Sequence, residues 1–120
     1  LTQPSQDNQL ESTNAQAQQL GALDLGSNSF HLLIAHENQG RVRVLDKHKE
    51  MVRLAEGLNA RGKLDGSVVQ RSLDCLERVA QRLRPLQPNN VRIVGTNTLR
   101  QAKDAAKFIA QAEAVLGYPI

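Results

Sequence analysis

Two apolar-rich runs, Leu20–Leu25 and Phe30–His36, are separated by only four residues, Gly26-Ser27-Asn28-Ser29. So short a link between runs of strand length, made entirely of turn-forming residues, predicts two strands joined at a tight tip. The first run carries an acid, Asp24, next to its end. A carboxylate then stands beside small hydrogen-bonding residues at the strand tip. Such a tip can hold a metal ion and phosphate oxygens together.

The chain has 120 residues, enough for one domain and not two. Hydrophobic residues make up 40% but aromatic residues only 2%, so the core must be aliphatic. The same scarcity argues against single-stranded nucleic acid as a partner, because there is almost no platform for base stacking. No apolar run is long enough to span a membrane. The single cysteine, Cys75, cannot form an internal disulfide, in keeping with a reducing, cytoplasmic setting. The first 19 residues hold Asp7 and Glu11 and no Lys or Arg, leaving the body with 15 basic and 10 acidic residues. A basic body favours polyanionic partners.

Residues 1–19, rich in Gln, Asn and Ser, read as a disordered tail. Beyond the first two strands, a turn at Glu37-Asn38-Gln39-Gly40 leads to a third, Arg41–Asp46, whose alternation predicts a half-exposed strand. Lys47–Leu54 can continue that strand, and Glu56–Gly62 reads as loop. Asp65 is placed to cap a helix with Val69, Leu73, Leu76, Ala80 and Leu83 on its buried stripe. Asp74 and Arg78 stand as an i,i+4 pair outside, and Cys75 reads as a small packing residue on the flank of the stripe. Pro85 and Pro88 end the helix. Val91–Gly95 is a short buried strand, and a second helix runs from about Asp104 to Leu116, with Gly117 as its C-cap. Tyr118-Pro119-Ile120 reads as the approach to a further strand. The order β-β-β-α-β-α implies a mixed α/β sheet with a right-handed crossover.

Asp24 either binds metal at the sheet rim or caps the turn that follows it. Gly26, Ser27, Asn28 and Ser29 either form a concave anion site of successive N–H groups or a plain hairpin turn. The segment is not the phosphate loop of nucleotide triphosphatases, since no Gly-Lys-Ser/Thr follows. Gly95-Thr96-Asn97-Thr98-Leu99-Arg100 also leaves a strand's carboxyl end. Its threonines and helix-start N–H groups suit an anion, and Arg100 can offer a planar fork. Equally, Thr96 or Thr98 can be an N-cap beside a solvated arginine. His31 is either a structural residue or a substrate contact. His36 and His48 lack partners at zinc-ligand spacing.

Three segments together resemble the exopolyphosphatase and guanosine pentaphosphate phosphohydrolase (Ppx/GppA) family. They are Asp24-Leu25-Gly26-Ser27-Asn28-Ser29-Phe30-His31, Val52-Arg53-Leu54-Ala55-Glu56-Gly57-Leu58 and Val94-Gly95-Thr96-Asn97-Thr98-Leu99-Arg100-Gln101-Ala102. The resemblance spans about residues 20–120, and the wording of the third segment is closer to the exopolyphosphatase branch. It implies a ribonuclease H-like domain of the actin, hexokinase and sugar-kinase superfamily, incomplete at its C-terminal end. It implies Mg2+ held by Asp24, a phosphate site of Gly26, Ser27, Asn28 and Ser29, and His31, Thr96 and Arg100 facing the same cleft. It places the family's catalytic base on a glutamate of a Ser-Gly-x-Glu-Glu-type segment, which these residues do not contain. The expected catalytic residue therefore lies outside this chain, which reads as the N-terminal part of an exopolyphosphatase releasing orthophosphate from inorganic polyphosphate. The alternatives are guanosine pentaphosphate hydrolysis, a non-catalytic polyphosphate- or nucleotide-binding module, and a kinase of the same superfamily. For the full-length protein the resemblance implies a homodimer with peripheral association to membranes.

Overall fold

In the computed structural model, residues 18–95 and 97–120 are described. The first two runs form β1 (Gln18–Leu25) and β2 (Phe30–Asn38), antiparallel, with Asp24 opposite His31 and Leu25 opposite Phe30. Residues 1–17, which hold most of the predicted tail, lie outside the described residues. Gln18 and Gln19, predicted as tail, instead pair with Glu37 and His36 in the ladder. Backbone pairing needs no apolar side chain, so hydropathy did not reveal these two positions.

A two-residue turn then leads into β3 (Arg41–Glu50). Gln39 and Gly40 both have positive φ, 53° and 80°. That is the primed turn whose twist matches a hairpin, two residues shorter at its start than predicted. A register shift at Ile34/Ala35 leaves Leu45 without an opposite residue. This bulge breaks the alternation expected of β3. Residues 41–45 are exposed throughout, Val42, Val44 and Leu45 included. Asp46, His48 and Glu50 face the same side as the core residues Ile34, Leu32 and Phe30 opposite them.

After a 3₁₀ turn at Leu54–Gly57 comes α1 (Gly66–Leu83). Its buried face is Val68, Ser72, Cys75, Leu76, Val79, Ala80 and Leu83, while Val69 and Leu73 are only partly buried. The stripe is rotated from the predicted one because Ser72, polar yet fully buried, sits at its centre and masks the apolar period. Cys75 is accordingly central, not flanking. Asp65 does occupy the N-cap, but its carboxylate makes no capping bond and accepts from the Asn59 amide at 3.3 Å. The Asp74–Arg78 pair does not form: Arg78 reaches across to Glu50, and Asp74 accepts from Gln70.

The chain returns as β4 (Val91–Gly95), parallel to β1, giving the sheet order β3-β2-β1-β4. The short α2 (Asn97–Gln101) and the longer α3 (Ala105–Leu116) follow, and Gly117 ends α3 at φ 81°. The core lies between one face of the sheet (Leu23, Leu25, Phe30, Leu32, Ile34, Ile93) and the helices, with Phe108, Ala112 and Leu116 of α3 closing it. Because β1, β3 and β4 all run the same way, the segments leaving them emerge at one end of the sheet. The three sequence motifs follow those three strands.

Candidate functional site

The first motif forms the loop between β1 and β2. The Gly26 N–H donates to the Ser29 carbonyl at 3.1 Å. A Cβ on Gly26 would stand 2.7 Å from that carbonyl oxygen, so the loop can close this tightly only on glycine. Ser29 is buried beneath the loop, and Asn28 is exposed at its tip.

The second motif braces the loop from the side. Arg53 donates its backbone N–H to the Asn28 carbonyl at 2.8 Å, and Ala55 donates to the Ser27 carbonyl at 2.8 Å. The strap is itself held down, since the Arg71 guanidinium of α1 donates to the Val52 carbonyl through Nε at 2.9 Å and Nη2 at 2.6 Å. With the carbonyls of Ser27 and Asn28 engaged, the N–H groups of Ser27, Asn28 and Ser29 have no hydrogen-bond acceptor among the described residues. Successive free N–H groups in a tight turn suit an anion.

The third motif closes the site. Thr98 of α2 is buried, and its hydroxyl donates to the Ser27 Oγ at 2.7 Å. That bond ties two loops together, where the sequence offered Thr98 as an anion donor or an N-cap. Thr96 lies outside the described residues. Arg100 is exposed and lines a hollow of about 370 Å³ with Val94, Gly95, Leu99 and Ile120. It leaves the same strand end as the loop, and its hollow is lined by Val94, which stands opposite Asp24.

Asp24 sits on the sheet face away from the core, in a cross-strand row with Val94 on β4, His31 on β2 and Lys49 on β3. His31 and Lys49 are exposed. The Asp24 Oδ1 is buried and has no hydrogen-bond partner among the described residues. An orphaned carboxylate oxygen beside an anion loop fits a hard cation, which takes oxygen ligands and keeps several waters. Among the described residues no group of three or more His, Cys, Asp or Glu forms a metal site. Asp24 is the residue at this tip that would hold a magnesium ion.

Behind β3, on the core face, lies a separate polar cluster. Glu50 accepts from Arg78, from the Cys75 thiol at 3.0 Å and shares a contact with His48 Nε2 at 2.9 Å. The Arg78 guanidinium holds the Glu50 carboxyl down at about 2, and burial, with Glu50 beside it, pushes the Cys75 thiol up to about 12. The shift disfavours the thiolate, the nucleophilic form of cysteine. The cluster locks β3 to α1, helped by Arg82 on Asp46 at 2.9 Å.

The sequence reading missed two features of the site. Arg53 belongs to a motif, but its contact with Asn28 spans 25 positions and leaves no local signal. Lys49 faces the site only through the register that follows the bulge.

The sequence profile described as the Ppx/GppA phosphatase family matches residues 33–120. The chain belongs to the Ppx/GppA phosphatase family. The matched region starts after the first loop and includes the strap and the Thr98 helix that hold it. A guanosine-5'-triphosphate,3'-diphosphate pyrophosphatase of Vibrio cholerae serotype O1 is 48% identical over 99 residues, covering 82% of this chain and 20% of the relative. The chain thus spans about a fifth of the length of the curated relatives it matches. Among solved structures, the Aquifex aeolicus member of the Ppx/GppA family superposes with a TM-score of 0.79 at 20% identity, over 86% of this chain and 34% of that one. An exopolyphosphatase from Cytophaga hutchinsonii superposes with a TM-score of 0.78 at 26% identity, over 85% of this chain and 33% of that one. The expected mixed α/β fold is the fold of these Ppx/GppA structures. No helix among the described residues is long and apolar enough to cross a membrane.

Proposed function

We propose that these residues are the phosphate- and metal-holding part of a phosphohydrolase of the relatives' length, which removes the terminal phosphate of guanosine pentaphosphate. The observation that carries this reading is the convergence of the three family motifs on one anion loop, joined by Arg53–Asn28, Ala55–Ser27 and Thr98–Ser27. The guanosine phosphate is put first because the 48% identical Vibrio relative carries that name. This reverses the order of substrates expected from sequence, where polyphosphate led.

The terminal phosphate would lie on the loop, with the N–H groups of Ser27, Asn28 and Ser29 taking its non-bridging oxygens. Charge-assisted bonds of this kind contribute about 1.5–3 kcal/mol each. Bound magnesium would neutralise charge on the phosphates and the leaving oxygen. Asp24 would hold that ion, and His31, exposed in the same row, would be available to a neighbouring phosphate. A water needs a carboxylate base within hydrogen-bond reach, which the family resemblance assigns to a segment outside these residues.

Inorganic polyphosphate is the second reading, favoured by the 26% identical Cytophaga exopolyphosphatase structure. The deciding experiment measures orthophosphate release by the full-length protein from guanosine pentaphosphate and from polyphosphate. A higher kcat/KM on the guanosine substrate is expected. A higher value on polyphosphate would move the second reading to first, and release from neither would overturn both.

A further inference from the structure

We propose that the Arg53 guanidinium is a further substrate-contacting group, gripping non-bridging oxygens of the phosphate on the Gly26–Ser29 loop. This rests on the reading of that loop as a phosphate site.

Two described residues other than glycine have positive φ, Gln39 and Arg53. Gln39 is explained by its hairpin, whose primed turn requires that conformation. Arg53 is in no hairpin. It stands as the N-cap of the Leu54–Gly57 turn at φ 54°, ψ 54°, where an extended residue is usual. Both of its backbone groups are engaged: its N–H on the Asn28 carbonyl at 2.8 Å, and its carbonyl accepting from the Glu56 N–H at 3.1 Å. The surroundings therefore hold a left-handed conformation that glycine would adopt freely and arginine adopts only under constraint. Such constraint at a ligand loop places a side chain. The strap's contacts are backbone contacts, which glycine could make equally well, so the guanidinium has a separate use.

That use is open to it. Arg71, Arg78 and Arg82 are engaged on Val52, Glu50 and Asp46. The Arg53 side chain is exposed and makes no hydrogen bond or ion pair among the described residues. Its backbone lies one hydrogen bond from the exposed tip residue Asn28, which is within reach of a phosphate on the loop. A planar fork of N–H donors matches phosphate oxygens two at a time. Lys49, in the row of Asp24 and His31, adds a second cation to the same rim.

The test uses the full-length protein with Arg53→Asn, Arg53→Gly and Arg53→Lys. Asparagine and glycine tolerate the left-handed conformation and carry no charge. The readouts are tripolyphosphate affinity by calorimetry, KM and kcat on guanosine pentaphosphate, and the melting temperature. Arg53→Asn and Arg53→Gly are expected to weaken tripolyphosphate binding by about 10- to 100-fold, the loss of one charge-assisted contact. Melting should be unchanged or raised, and Arg53→Lys should recover part of the affinity. Tripolyphosphate affinity within twofold of wild type for Arg53→Asn would overturn the proposal, as would weakened binding that tracks a lowered melting temperature. If the wild type binds tripolyphosphate but hydrolyses neither substrate, the proposed activity fails and Arg53 is judged on affinity alone. If the wild type does not bind it, both fail.

Discussion

The Thr98 hydroxyl donates to the Ser27 hydroxyl across 2.7 Å, joining residues 71 positions apart. The bond links the loops that leave two adjacent parallel strands, β1 and β4. Each loop alone is a short polar segment with several conformations open to it. Tied together, and strapped by Arg53 and Ala55, they present one arrangement of N–H groups beside Asp24. An anion binding there, as proposed, would meet a site already ordered, which spares the affinity the ordering entropy of two loops.

Removing that tie should show as coupling. Thr98→Val keeps the side chain's shape and loses its donor, and Ser27→Ala loses the acceptor. A double-mutant cycle by urea unfolding should return an interaction of about 0.5–1.5 kcal/mol. Thr98→Val alone should also weaken tripolyphosphate binding severalfold, because the loop is no longer pinned. Strictly additive stability effects would mean that the two hydroxyls are neighbours without consequence.

Gly26→Ala tests the loop's closure. The new Cβ would stand 2.7 Å from the Ser29 carbonyl, a backbone atom that cannot rotate away. The loop must open or the strand tips must part, at about 1–3 kcal/mol by the measure of overpacked sites. Melting should fall and phosphate binding with it. A variant that melts and binds like the wild type would show that the loop does not need its close turn.

Much of this was legible in the sequence because it was local. The strands around the first loop, the turn at Gln39-Gly40 and the Gly117 helix end each carry their own signal in a few residues. The reading of the loop as an anion site came only through resemblance, since Gly, Ser and Asn make ordinary turns too. What could not be read depends on contacts distant in sequence. Arg78 satisfies the local rule with Asp74 and yet pairs with Glu50, because Glu50 needs a partner once Phe30 opposite it is buried. Ser72 hides the true stripe of α1 by being polar at its centre. Thr98 has the right chemistry for an anion donor, but the packing of α2 turns it inward onto Ser27.

Glu50 gives the fold an acid-sensitive point. Arg78, with smaller help from Cys75 and His48, lowers its carboxyl from 4.5 to about 2 against the opposing effect of burial. A group with a depressed folded-state value contributes stability that is fully present above the unfolded value and is lost as pH falls toward the folded one. The β3–α1 lock should therefore weaken between about pH 5 and pH 2. Glu50→Gln should lower the melting temperature at pH 7 and flatten its decline across that window. Parallel melting curves for wild type and variant from pH 7 to pH 2.5 would contradict the assignment.

Asp24→Asn separates a metal ligand from a structural acid. The Asp24 Oδ1 is buried with no hydrogen-bond partner among the described residues, so that oxygen contributes no bond to the fold. The amide should leave the melting temperature without magnesium unchanged or slightly raised. With tripolyphosphate present, magnesium should stabilise the wild type in proportion to the logarithm of its concentration once above its Kd. The variant should need about tenfold more magnesium for the same shift, the loss of one charged ligand contact. A melting temperature that falls on mutation, with the magnesium response intact, would assign Asp24 to holding the turn.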